Sequence, residues 1–184
     1  MKIIYKIFLF WFLSATFINQ DLHAQEIEWQ NTIGGSSDDM LFSIQQTADG
    51  GYILGGYSTS GILGDKLENN MDSSLASSDI WIIKINSKGM MQWQKTYGGT
   101  GSESLYSLKM TLDGGYLLGG YSNSNISGNK TENSMGGYDF WLVKIDSAGG
   151  ILWQNTIGGS SDDVLYAVQQ TKKRCIVYTT LPLF

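Results

Sequence analysis

The chain of 184 residues has one cysteine, one proline and one histidine. A lone Cys175 excludes an internal disulfide, so a fold built from this chain is held by packing alone. His23 falls inside a leader-like N-terminus. Once that segment is removed, no imidazole remains for a catalytic triad, a proton shuttle or a nitrogen-ligated metal. Long apolar runs are also missing. The most hydrophobic stretch, Ile7 to Ile18, is too short to span a bilayer and is read with Lys2, Lys6 and the small residue Ala24 as a signal peptide over 1–24. Its loss leaves 10 basic and 16 acidic residues, an excess of negative charge that disfavours nucleic acid and anionic lipid. No window shows apolar residues at helical spacing over three turns, whereas β-branched and aromatic residues crowd short alternating runs.

What the chain has in abundance is glycine, 23 residues of it, and the glycines recur in register. Asp49-Gly50-Gly51-Tyr52-Ile53-Leu54-Gly55-Gly56-Tyr57-Ser58 returns as Asp113-Gly114-Gly115-Tyr116-Leu117-Leu118-Gly119-Gly120-Tyr121-Ser122. Trp29-Gln30-Asn31-Thr32-Ile33-Gly34-Gly35 returns at Trp93 and again at Trp153. Repetition of this kind marks stacked supersecondary units. Asp-Gly between two alternating runs predicts a hairpin turn, with Asp bonding its own backbone and Gly taking positive φ. The second pair, Gly55-Gly56 or Gly119-Gly120, lies inside a strand and predicts a bulge or a close approach of neighbouring chain. A third run, Asp79 to Ile85 or Asp139 to Ile145, is followed by a Ser-x-Gly turn and then the Trp-Gln run, which makes four strands per unit.

The expected fold is all-β: a partial β-propeller of four-stranded antiparallel blades, about two and a half repeats of 60–64 residues. The blades are placed at 40–97 and 104–157, with an orphan strand at 26–33 and a fragment at 164–171, together a repeat region over 25–171. The runs Leu41-Ser43-Gln45, Leu105-Ser107-Lys109 and Leu165-Ala167-Gln169 are expected innermost, where crowding explains the recurring small residue. At Lys172 the repeat fails, and Cys175 and Pro182 both fall in a non-repeat tail over 172–184 that reads as a frameshift or misplaced stop. Two blade faces are expected to stay uncovered and to promote self-association.

These strings resemble the secreted β-propeller repeat proteins of the type IX secretion group, which carry Gly-Gly-x-x-x-Asp, Asp-Gly-Gly-Tyr, Gly-Tyr-Ser/Thr and Trp-x-Val-Lys-Ile/Leu-Asp in this order. The resemblance covers residues 26–171 and implies an exported protein, whether periplasmic, cell-surface or extracellular. Such relatives are usually several units longer and often end in a sorting domain, features absent from this sequence.

Asp38, Asp39, Glu103, Asp162 and Asp163 stand at equivalent places before the inner strands and form a weak calcium candidate set; no Asp-x-Asp-x-Asp-Gly spacing accompanies them. Caps on backbone amides are the alternative role for these carboxylates. Asp65, Glu68, Asn69, Asp72, Asn129, Glu132 and Asn133 fall in the long loop of each unit, and the tryptophans are expected in blade cores. Lys84 and Lys144 are expected to run their stems between blades with the amine snorkelling out. No catalytic residue or cofactor is assigned. The functional expectation is an exported, non-enzymatic module that binds protein or glycan. A propeller enzyme acting on glycans and a quinoprotein-like dehydrogenase remnant are the alternatives.

Overall fold

A computed structural model describes residues 26–72 and 77–171, and the backbone of 175–178. The expected signal peptide, and most of the tail, lie outside the described residues. Two four-stranded antiparallel sheets carry the architecture, and among the described residues there is no helix. The first sheet, blade 1, runs β1 (Asp39–Gln46), β2 (Tyr52–Ser58), β3 (Asp79–Ile85) and β4 (Met91–Tyr97) in sequential order. Blade 2 repeats it with β5 (Glu103–Met110), β6 (Tyr116–Ser122), β7 (Asp139–Ile145) and β8 (Ile151–Ile157). A third unit consists of β9 (Ala167–Gln170) and β10 (Cys175–Tyr178), paired antiparallel. The all-β, four-stranded reading therefore stands. The sheets do not close into a ring.

Each β1–β2 type hairpin is made by the Asp-Gly-Gly turn. Gly50 takes φ 78° and Gly114 φ 82°, a region barred to most side chains. Asp49 Oδ1 accepts from Gly51 N and from Thr47 Oγ1, and Asp113 does the same with Gly115 and Thr111. Lys84 and Lys144 differ from the expectation of a snorkelling stem. Both are buried, and their ammonium groups end on the turn carboxylates at 2.9 Å and on the carbonyls of Ile85 and Ile145. A buried cation must be paired, so the lysine of the third strand fastens the turn between the first two. The hydrogen bonds from Thr47 and Lys84 hold Asp49 well below the usual carboxylate range, and those from Thr111 and Lys144 do so for Asp113.

The in-strand glycines mark close approach on both sides. A Cβ on Gly56 would run into the Met40 carbonyl of β1, and one on Gly120 into that of Ser104. A Cβ on Gly55 would meet Ile82 at 2.8 Å and, from the next blade, Leu105 at 3.1 Å and Leu108 at 3.3 Å. Gly119 meets Leu165 and Val168 of the third unit in the same way. Each notch thus admits an aliphatic pair from the next inner strand, and Leu105, Leu108, Leu165 and Val168 are all buried. Around the first notch Ile53, Ile80 and Ile82 pack against Tyr116, Leu118, Trp141, Val143 and Ile145, forming the main core between blades.

The inner strands do lie next to one another, and the small residues there do more than fit. Leu108 N donates to Ser43 Oγ at 3.1 Å, and Val168 N donates to Ser107 Oγ at 3.2 Å. Ala167, the third copy, has no such oxygen. Residues 26–33 form no strand, and among the described residues no strand pairs with them. β10 falls inside the tail expected to be unrelated to the repeat, yet its backbone pairs with β9 as β2 does with β1.

The two glycines of a pair are not equivalent, and substitution separates them. Gly55→Ala presses on the flexible ends of Ile82, Leu105 and Leu108 and is expected to cost about 1–3 kcal/mol. Gly56→Ala presses on backbone and is expected to cost more, with loss of the β1–β2 ladder. Urea unfolding of the two variants, with hydrogen exchange on β1, checks the order; equal costs would contradict it.

Candidate functional site

Two constellations arise where the inner strands meet the loops. The first contains the carboxylates singled out from the sequence. Asp39, Glu103 and Asp163 sit beside their Gly-Gly turns, and each accepts a backbone N–H, from Gly35 at 2.6 Å, Gly99 at 2.8 Å and Gly159 at 2.7 Å. Glu103 also accepts from Ser122 Oγ and Ser124 Oγ, both at 2.6 Å. Asp38 and Asp162 are exposed, and Asp162 accepts from Tyr138 N at 3.0 Å. The structure therefore gives Asp39, Glu103, Asp162 and Asp163 amide-capping roles, and among the described residues no group of three or more Asp, Glu, His or Cys gathers to hold a metal.

What the sequence reading missed is the acid facing them. Asp79 and Asp139, the first residues of β3 and β7, are fully buried, and each keeps one oxygen, Oδ1, without a donor. That oxygen lies over Gly98 or Gly158 beside the carboxylate of Glu103 or Asp163 from the next unit. Burial first, with the Glu103 charge adding to it against the Met71 N–H, pushes the Asp79 pKa up to about 8. Burial and the neighbouring Glu103 charge thus favour the protonated form of Asp79. The signal was available: Asp begins the third run in both units.

Lys66 and Lys130 were also missed. Both are fully buried, over Trp81 at 5.7 Å and Trp141 at 6.0 Å, and donate to Thr96 Oγ1 and Thr156 Oγ1. Burial lowers the pKa of each, while acids including Asp79 and Asp39, or Glu103 and Glu132, oppose the shift. Their recurrence two residues after Gly64 and Gly128 was the sequence cue. The loop residues read as ligand candidates are tied to protein backbone, some within their own blade and Asp65 and Asn129 across to the preceding Gly-Gly turn. Glu68 and Glu132 accept from Thr96 N and Thr156 N, Asn69 and Asn133 from Ile62 N and Ile126 N, Asp65 from Gly34 N, and Asn129 from Gly98 N. Trp81 and Trp141 are in the blade core as expected, each donating to a Gln oxygen at 3.0 Å.

The second constellation is an aromatic arc. In β1 and β5 the pairing slips by one residue between Leu41 and Ser43 and between Leu105 and Ser107, which leaves Phe42 and Tyr106 on β-bulges. Tyr166 occupies the same place in the third unit. Phe42 and Tyr106 ring centroids stand 4.9 Å apart, and so do those of Tyr106 and Tyr166. Tyr57 and Tyr121 flank the row at 5.9 and 5.8 Å, and Tyr138 meets Tyr121 at 4.6 Å. Phe42 is 41% and Tyr166 44% exposed. Burial beside Tyr166 and Tyr57 raises the Tyr106 pKa, and burial with Tyr106 and Tyr138 pushes Tyr121 up to about 12, so both hydroxyls stay protonated.

No protein-family model matches the chain, and no curated protein matches it. No helix among the described residues is long and apolar enough to cross a membrane.

The buried acid pair generates a pH dependence. Asp79 binds its proton more tightly folded than unfolded, where its pKa is 3.8, so its contribution to stability is full below about pH 4 and is lost as pH rises to about 8. Asp79→Asn supplies an N–H to Glu103 at every pH. It is expected to flatten that decline and to gain about 1–3 kcal/mol at pH 8 and above. Urea unfolding from pH 5 to 9 checks both; a parallel decline in the variant would contradict the pairing.

Proposed function

We propose that the chain is an exported, non-enzymatic interaction module, related to the β-propeller repeats of the type IX secretion group, which binds protein or glycan through the arc of Phe42, Tyr106 and Tyr166. One observation carries this reading: Phe42 and Tyr106 stand on β-bulges, Tyr166 takes the equivalent place before β9, and the three rings line up across three successive units. A buried aromatic stabilises a fold. Rings this exposed offer stacking faces to a partner with flat apolar surface, and a neutral sugar chain has such faces together with hydroxyls for the protonated tyrosines.

The non-enzymatic part rests on the carboxylates. A glycan-cleaving propeller needs two free carboxyl groups flanking a bond, whereas Asp39, Glu103 and Asp163 accept backbone amides at the unit junctions. Their regular recurrence argues for structure.

Titration with neutral oligosaccharides, read by tyrosine fluorescence and calorimetry, tests the reading. Tyr106→Ala is expected to weaken binding by about tenfold, equivalent to about 1.4 kcal/mol, and Lys109→Ala to leave it unchanged. A panel of glycans and surface polypeptides that all fail to bind would overturn it, as would binding insensitive to Tyr106.

A further inference from the structure

Tyr106 and Tyr166 hold equivalent places one repeat apart, and the fold brings their rings into contact across two units. Their centroids stand 4.9 Å apart with the planes tilted by 37°. Both backbones are anchored beside the rings. Tyr106 lies on the β5 bulge between the buried residues Leu105 and Ser107, and Tyr166 follows Leu165, which fills the Gly119 notch together with Val168. Val168 N donates to Ser107 Oγ at 3.2 Å, so the bond that sets the register of this seam also sets the spacing of the two phenols.

Access differs between the two rings. Tyr166 is 44% exposed and open to an oxidant, while Tyr106 is half-buried among Phe42, Tyr121 and Tyr166. Tyr121 stands 5.8 Å from Tyr106, and Tyr138 stands 4.6 Å from Tyr121. A phenoxyl radical formed on one of these rings thus has a neighbouring phenol from which to recover a hydrogen atom, and the oxidation passes along the row. Phe42 meets Tyr106 at the same 4.9 Å but has no phenol to oxidise. The molecule therefore holds two ring contacts of like distance on either side of Tyr106, of which one has the chemistry to become a bond.

We propose that Tyr106 and Tyr166 form an oxidative modification site, coupled to dityrosine by hydrogen peroxide and a one-electron oxidant of the haem-peroxidase class. Each phenol gives up one electron and one proton. The two phenoxyl radicals join through ring carbons ortho to their oxygens, and the hydrogens displaced from those carbons pass as protons to the oxygens, restoring both phenols. One hydrogen peroxide takes up the two electrons and two protons and leaves as two waters. Rings already held in contact couple within the molecule faster than with a partner met in solution. The product ties the second blade to the third unit by a carbon–carbon bond, in a chain whose single cysteine allows no internal disulfide.

The test treats the full chain, dilute and without saccharide, with hydrogen peroxide and a haem peroxidase. Dityrosine fluorescence is expected, with the chain still running as a single molecule on a denaturing gel. Tryptic digestion is expected to give peptide 96–109 joined to peptide 145–172, lighter than the two together by two hydrogen atoms. Tyr106→Phe and Tyr166→Phe are each expected to abolish that species; Phe42, on the equivalent bulge, shows that the place admits phenylalanine. Phe42→Tyr is expected to create a new product joining position 42 to Tyr106, at the expense of the first. Absence of the joined peptide overturns the proposal, as does its survival in either phenylalanine variant. Coupling confined to links between molecules, or to Tyr121 with Tyr138, also overturns it. The readout needs no ligand at the arc, so its failure and that of oligosaccharide binding are distinguishable.

Discussion

The structure depends on the insertion of two aliphatic side chains from each inner strand into a gap left by a missing Cβ in the unit before. A two-sided sheet has no interior of its own, so neither face is dry until another sheet lies on it. Gly55 and Gly119 decide how near that sheet comes. With the notch filled, Ile53, Ile80 and Ile82 reach Trp141 and Val143, and the junction becomes a continuous core. The serine hydroxyls on the inner strands then fasten one unit's backbone to the next, which fixes register along the strand as well as distance.

Around this apolar contact the polar groups are arranged to avoid unpaired burial. Lys84 and Lys144 close the hairpin turns, Lys66 and Lys130 lie over the core tryptophans, and the Gly-Gly turns direct amides at the inner-strand acids. Among the described residues the exceptions are Asn70 Oδ1, Ser104 Oγ and one oxygen of each third-strand aspartate, Asp79 and Asp139. The two aspartate oxygens lie at the seam between units, and at Asp79 the protonation set there depends on the neighbouring unit's Glu103 as well as on its own blade.

Much of this was legible in the residues. Period-two alternation, the Asp-Gly turns and the 60–64 residue spacing were enough for four strands per unit and for Trp81 and Trp141 as core, because those signals are local and repeated. Trp153, expected in the core with them, is 38% exposed on β8. Lys84 was misread because alternation gives the face a side chain leaves from, not the turn it reaches 35 residues away. The Asp79 and Glu103 pair was invisible for a related reason: its members belong to different units and meet only when the sheets stack. The aromatic arc was within reach, since Phe42, Tyr106 and Tyr166 align in the repeat, but bulges break the strict alternation that would have placed them.

The bulges have a bearing on how such a surface changes over time. A residue that the ladder skips has no cross-strand partner and little share in the apolar interior, so its identity is nearly free of the demands of folding. Positions 42 and 106 can exchange one side chain for another while the glycine notches and serine bonds go on setting the architecture. The scaffold and its vocabulary of contacts are thus separable, and each added unit brings one more independently variable letter to the same row.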